Sequence, residues 1–126
     1  MQSISVNIAY LPLHPDTAIL HLKGFLYANT LVQAEKAVQS VLGAKKKKLV
    51  VDLSEADYIS SGGWGLLLTV CRSFRDEGGD LVLAGLKPEV NDAFELLEYN
   101  KVMKSFPASE TALKQGFIHP TAPAKV

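Results

Sequence analysis

Residues 49–65 read LVVDLSEADYISSGGWG and run on into LLLTVCRSF. Leu49, Val50, Val51 and Leu53 form a short apolar run broken only by Asp52, the pattern of a central strand buried on both faces. Ser54-Glu55-Ala56-Asp57 reads as a polar connection, after which Tyr58-Ile59 re-enters the core. Ser60-Ser61-Gly62-Gly63 supplies N-cap hydroxyls and the backbone freedom of a sharp turn. From Trp64 onward, Leu67, Val70, Cys71 and Phe74 recur at helical spacing. The stretch is therefore strand, turn and helix. It sets two hydroxyls where the unpaired N–H groups and the positive dipole end of the helix emerge. A functional site is expected there first.

Outward from this stretch, the expected elements alternate. Residues 3–10, SISVNIAY, alternate polar and apolar as a half-buried edge strand. Leu11 to Asp16, with two prolines in four residues, is expected to be a turn. Thr17 to Lys23 alternates again, and Gly24 is expected to end that strand. Asn29 or Thr30 is the expected N-cap of a helix over Leu31–Leu42, with Gly43 as its stop. Downstream, Gly78-Gly79 ends the central helix, Asp80–Ala84 is a buried strand, and Pro88 opens a helix carrying Val90, Ala93, Phe94 and Leu97 inward. A short strand within Val102–Phe106 and a helix from Ser109 to about Gln115 close the order. After an initial hairpin, strands alternate with helices. An α/β fold follows, its largely parallel sheet covered mainly by those helices.

Composition limits the function classes. A chain of 126 residues, 48% hydrophobic and 21% charged, fits a single domain over residues 1–116, with 117–126 as a frayed tail. Thirteen basic and thirteen acidic residues cancel, so no general attraction to nucleic acid or an anionic membrane is expected. The lysine run 45–48 reads as a solvated loop that complements a helix dipole, against the alternative of an anion patch. Cys71, alone and on an apolar helix face, is expected to be a buried structural thiol. No apolar run has membrane-spanning length and no signal-peptide pattern opens the chain, so a cytoplasmic protein is expected.

Catalytic and metal motifs are missing from the reading. His14, His21 and His119 are scattered over a loop, a strand and the tail, so no metal site is expected from them. Ser60 and Ser61 lack the preceding glycine of a nucleophile elbow, and Gly62-Gly63-Trp64-Gly65 matches neither a phosphate loop nor a dinucleotide fingerprint. No enzyme activity and no cofactor are expected. A plain capping turn accounts for Ser60–Gly63 on composition alone. A regulated hydroxyl is the functional alternative, because a phosphate on Ser61 would meet helix N–H donors while adding about −1.5 to −2 charges to the surface.

The order of elements resembles the STAS domain, and in particular the bacterial anti-sigma factor antagonists. The parts that carry the resemblance are Val51-Asp52-Leu53-Ser54, Ile59-Ser60-Ser61-Gly62-Gly63-Trp64-Gly65, and Glu77-Gly78-Gly79-Asp80-Leu81-Val82-Leu83-Ala84-Gly85-Leu86-Lys87-Pro88. The resemblance implies a mixed, mostly parallel sheet of four to five strands with about four helices. It also implies a non-enzymatic module that binds an anti-sigma factor acting as a serine kinase, with Ser61 as phosphoacceptor and Ser60 as second choice. Ser60 stands where the family usually has aspartate, Gly62 where it has a second serine, and Tyr27 where the first helix approach is acidic. These exchanges, beside Phe25 and Trp64, turn the expected face apolar and aromatic, as protein-binding hot spots tend to be. The expected partner surface comprises Tyr27, Asn29, Thr30, Ile59, Ser60, Ser61, Gly62, Gly63, Trp64, Leu86 and Lys87. The alternative that the resemblance leaves open is a cytoplasmic accessory subunit of a membrane transporter of the ABC lipid-transport type.

Overall fold

The computed structural model describes residues 2–117. The expected tail beyond Phe117, with His119, lies outside the described residues. The elements are β1 (Ile4–Leu11), β2 (His14–Leu26), α1 (Leu31–Gly43), β3 (Lys48–Ile59), α2 (Ser61–Asp76), β4 (Asp80–Ala84), α3 (Pro88–Leu96), β5 (Ser105–Phe106) and α4 (Ser109–Thr111). A short 3-10 turn, Tyr99–Lys101, follows α3, and α4 runs on as a π-turn, Ala112–Gly116. The strands form one five-stranded sheet in the order β1-β2-β3-β4-β5. β1 pairs antiparallel with β2, and every later pair is parallel. This is the mixed, mostly parallel sheet that the sequence implied.

The sheet's period of two divides its side chains between two unequal layers. One face carries Leu20, Leu22, Leu49, Val51, Leu81 and Leu83 into the main core, beneath the apolar stripes of α1, α2 and α3. Each such side chain fully withdrawn from water contributes about 1.5–3 kcal/mol. The opposite face holds a smaller apolar cluster, Val50, Val82 and Ala84 under Ala112, with the half-buried Ile19, Leu113 and Phe117 packed against it.

Several boundaries differ from the sequence reading, each for a local reason. Ser54–Asp57 is not a connection: β3 continues unbroken to Ile59. β4 ends at the Asp52–Ala84 pair, so beyond it the described ladder of β3 runs with β2 alone and its outward positions meet water. Pro15 does not prevent a ladder, since β2 begins at His14 on the sheet's antiparallel end. Gly24 does not end β2; it sits inside it at φ 108, next to a register shift, where a Cβ would strike the Ser3 carbonyl. Gly43 is the last residue of α1 rather than its left-handed stop. Lys45 takes that conformation at φ 61, with its N–H and that of Lys46 returning to Leu42 and Val41. The lysine run is tied down rather than simply solvated. Lys46 Nζ donates to the Pro15 carbonyl, and Lys47 Nζ donates to the Glu77 carbonyl at 2.9 Å. Lys48 Nζ approaches the Asp16 carboxylate at 3.9 Å.

Candidate functional site

The C-terminal ends of β2 and β3 lie side by side, paired through Leu26 and Ile59. The Ser60 N–H donates to the Leu26 carbonyl at 2.9 Å, which holds the β3–α2 turn against the end of β2. Ser60 has extended backbone and is the N-cap of α2, its hydroxyl accepting the Gly63 N–H at 3.1 Å. α2 thus begins at Ser61, three residues before the expected start at Trp64. Gly62 and Gly63 belong to its first turn, and neither has positive φ.

Close approach, not turn flexibility, requires glycine at position 63. A Cβ there would lie 2.8 Å from the Leu26 carbonyl oxygen and 2.9 Å from Ile59 Cγ2. At Gly62 a Cβ would make ordinary contacts, 3.6 Å to Leu31 Cδ1 and 3.7 Å to Ser60 Oγ. Ser61 and Gly62 are exposed, while Ser60 is half-buried and Gly63 buried. Among the described residues the Ser61 hydroxyl takes part in no hydrogen bond, and the first turn of α2 carries no acidic residue.

Tyr27–Thr30 adjoins this turn and is braced internally. Thr30 occupies the N-cap position of α1 but does not cap it. Its hydroxyl instead donates to the Phe25 carbonyl at 2.6 Å and accepts the Tyr27 N–H at 3.0 Å, and the residue is buried. The Tyr27 hydroxyl donates to the Gln2 carbonyl at 3.1 Å, so the half-buried ring bridges this loop to the start of the chain. Asn29 is exposed.

The expectation of an aromatic surface at Trp64 is corrected. Trp64 is 1% exposed and stacks between Phe94, at 5.7 Å between ring centroids, and Tyr99, at 5.3 Å. It anchors α2 to α3 and the turn that follows, and its indole N–H has no partner among the described residues. Ile59 is likewise buried. Leu86 and Lys87 do not join the Ser60 turn directly, because β4 ends well short of β3's tip. Lys87 reaches β3 through its Nζ, 2.6 Å from the Asp57 carboxylate. The exposed part of the expected surface is therefore Asn29, Ser61 and Gly62, with Tyr27, Ser60, Leu86 and Lys87 half-buried.

Two features escaped the sequence reading. Asp57, assigned there to a loop, pairs with Lys87 and neutralises it three residues before Ser60. Phe25 and Tyr58 face each other across β2 and β3 with ring centroids 6.3 Å apart, and Tyr58 is 51% exposed. The alternation of Tyr58 and Ile59 would have marked Tyr58 as outward had β3 been read as one strand. On the same open face, His21 Nε2 lies 3.1 Å from the Glu55 carboxylate.

Asp52 sits where β3 passes beneath α4. Burial pushes its carboxyl up. The Ser54 N–H at 2.9 Å, the Ser54 hydroxyl, the Ser109 hydroxyl at 3.0 Å and the facing His21 outweigh that and hold it below its ordinary value. Burial pushes the Cys71 thiol up against the counteracting charge of Arg75, as expected for a thiol inside the core. Among the described residues no His, Cys, Asp and Glu side chains cluster in a set of three able to hold a metal, and no helix is long and apolar enough to cross a membrane.

Comparison with known proteins agrees with this geometry. A sequence model of the STAS domain matches residues 10–112. BtrV of Bordetella bronchiseptica, assigned by its name to the anti-sigma factor antagonists, is 35% identical over 75 residues, which is 60% of this chain and 65% of that protein. The chain therefore matches just under two thirds of that relative's length. Among solved structures, an anti-sigma factor antagonist from Mycobacterium paratuberculosis is 20% identical, with a TM-score of 0.78 over 88% of this chain and 92% of that one. The antagonist SpoIIAA in its unphosphorylated form is 16% identical, with a TM-score of 0.72 over 91% of this chain and 100% of that one. At these identities the structural likenesses establish the fold.

Proposed function

The chain belongs to the STAS domain family, and on that premise we propose that it is a cytoplasmic, non-enzymatic anti-sigma factor antagonist. It binds an anti-sigma factor of the serine-kinase type through the edge formed by Tyr27–Thr30 and Ser60–Gly63. Phosphorylation of Ser61 switches that binding off.

The observation that carries this reading is the division of labour between the two serines. Ser60 is half-buried and its hydroxyl is engaged by the Gly63 N–H, whereas Ser61 is exposed and its hydroxyl makes no hydrogen bond among the described residues. A kinase needs a reachable hydroxyl, and Ser61 offers one without dismantling the cap. The modified residue would stand at the first position of a sixteen-residue helix with no acid in its first turn, so N–H donors and the dipole favour the phosphate. The same dianion would face a partner with charge where Ser61 and Gly62 now present a small, neutral surface. Dense phosphate charge at a desolvated contact opposes association, and that is the switch.

The relatives named for antagonism support this role, and nothing in the site favours the transporter-subunit alternative. Mass-spectrometric mapping of the protein purified from its native host, grown with and without stress, tests the acceptor. Phosphate is expected on Ser61 alone and absent from Ser61→Ala. Phosphate on Ser60 in the intact protein would contradict the assignment.

A further inference from the structure

The edge strand β1 carries none of the devices that ordinarily keep a sheet edge from pairing. Its eight residues, Ile4-Ser5-Val6-Asn7-Ile8-Ala9-Tyr10-Leu11, include no proline, no glycine and no charged side chain. Natural edges are usually blunted by lysine, proline, bulges or a covering element. Here the one irregularity in the β1–β2 ladder lies at Tyr10/Leu11, beside the hairpin, and Lys46 Nζ stands 5.3 Å from the Tyr10 ring at that same end. From Ile4 to Ala9 the ladder to β2 is regular, and among the described residues no strand pairs with its outer side.

The hydrogen-bond phase of that open side can be read from β2. Phe25 N–H donates to the Ser3 carbonyl at 2.9 Å, so the backbone groups of Ser5, Asn7 and Ala9 face β2. Those of Ile4, Val6 and Ile8 therefore point outward. Their side chains lie on the helix-covered face, packed against the core yet only half-buried. Ser5 and Asn7 are exposed on the other face.

We propose that this edge pairs antiparallel with the same strand of a second copy, about a two-fold axis through Val6, joining the two five-stranded sheets into one. The strand is self-complementary in three respects. The axis sets Ile4 opposite the partner subunit's Ile8 and Val6 opposite the partner subunit's Val6, all with outward N–H and C=O groups. It extends the apolar face of one subunit into that of the other, completing the burial of Ile4, Val6 and Ile8. It brings no like charges together, because the strand has none. An isologous contact of this kind closes after two subunits and leaves no further edge of β1 exposed. The proposal is independent of the role of Ser61.

Sedimentation velocity across a concentration series, on the full chain, tests it. The wild-type protein is expected to pass from monomer to dimer, and Ser61→Glu to do so with the same midpoint. In the proposed pairing Ser5 faces the partner subunit's Asn7. The double variants S5K/N7K and S5E/N7E therefore set like charges opposite each other, at exposed positions that leave the monomer fold intact by circular dichroism. Each alone is expected to raise the dissociation constant by about tenfold or more, and an equimolar mixture of the two to recover a heterodimer. A wild-type protein that stays monomeric overturns the proposal. So does a dimer that ignores both sets of charges, or a mixture that fails to recover one.

Discussion

The Ser60 hydroxyl accepts the Gly63 backbone N–H at 3.1 Å, and this bond leaves the neighbouring Ser61 as the exposed hydroxyl of the turn. The two serines therefore separate by experiment. Ser60→Ala removes a helix cap and is expected to lower stability by about 1 kcal/mol, whereas Ser61→Ala changes it by less than about 0.5 kcal/mol. Urea unfolding of the two variants checks this. Equal losses would mean that the capping role is shared.

The two adjacent glycines are expected to respond with opposite sign. Gly63→Ala drives a Cβ to within 2.8 Å of the Leu26 carbonyl oxygen and 2.9 Å of Ile59 Cγ2, and should cost about 1–3 kcal/mol, because the backbone at the end of β2 must give way. Gly62→Ala meets only ordinary contacts in a helical position, and should be neutral or stabilise by up to about 1 kcal/mol. Thermal melts of the pair decide it.

How much of this could be read beforehand depends on whether a residue's neighbours lie close in the chain. The element order was legible because each helix carries its own stripe, as with Leu67, Val70, Cys71 and Phe74 in α2. That the Ser60-Ser61 pair would supply the cap was legible for the same reason, since a cap bond spans three residues, but which serine caps was not. The continuation of β3 through Ser54–Asp57 was not, because those polar positions are strand only by virtue of β2 running alongside to Leu26. Trp64 misled for a related reason. Its burial comes from Phe94 and Tyr99, about thirty residues away, while in sequence it stands beside an exposed glycine turn.

Trp64 is the single tryptophan, so its environment can be followed by fluorescence. Stacked in the core, it should emit at short wavelength and resist acrylamide quenching in the native protein. Binding of a partner at the Ser61 turn should leave that quenching unchanged. Trp64→Ala is expected to cost about 3–5 kcal/mol. A red-shifted, readily quenched native emission would contradict the packing.

Asp52 sets an acid limb to stability. Its folded-state carboxyl lies below the ordinary 3.8, so its stabilisation is present above that value and is lost as the pH falls through the lower folded-state value. Asp52→Asn should lose about 1 kcal/mol at neutral pH and show a flatter decline below pH 3.8. Ser109→Ala should shift the same limb in the same direction by a smaller amount, since it removes one of several donors. Urea midpoints at neutral and acid pH measure both.

The reading of Ser61 as a switch is tested most directly by paired affinity capture from the native host's lysate, with wild-type and Ser61→Glu proteins as baits and quantitative mass spectrometry as the readout. The glutamate carries less charge than phosphate, so its effect is a lower bound. The expected result is an ATP-binding anti-sigma factor retained by the wild-type bait and depleted by about tenfold or more on Ser61→Glu. Equal recovery of that protein on both baits, or recovery of a transporter subunit by both in its place, would contradict it.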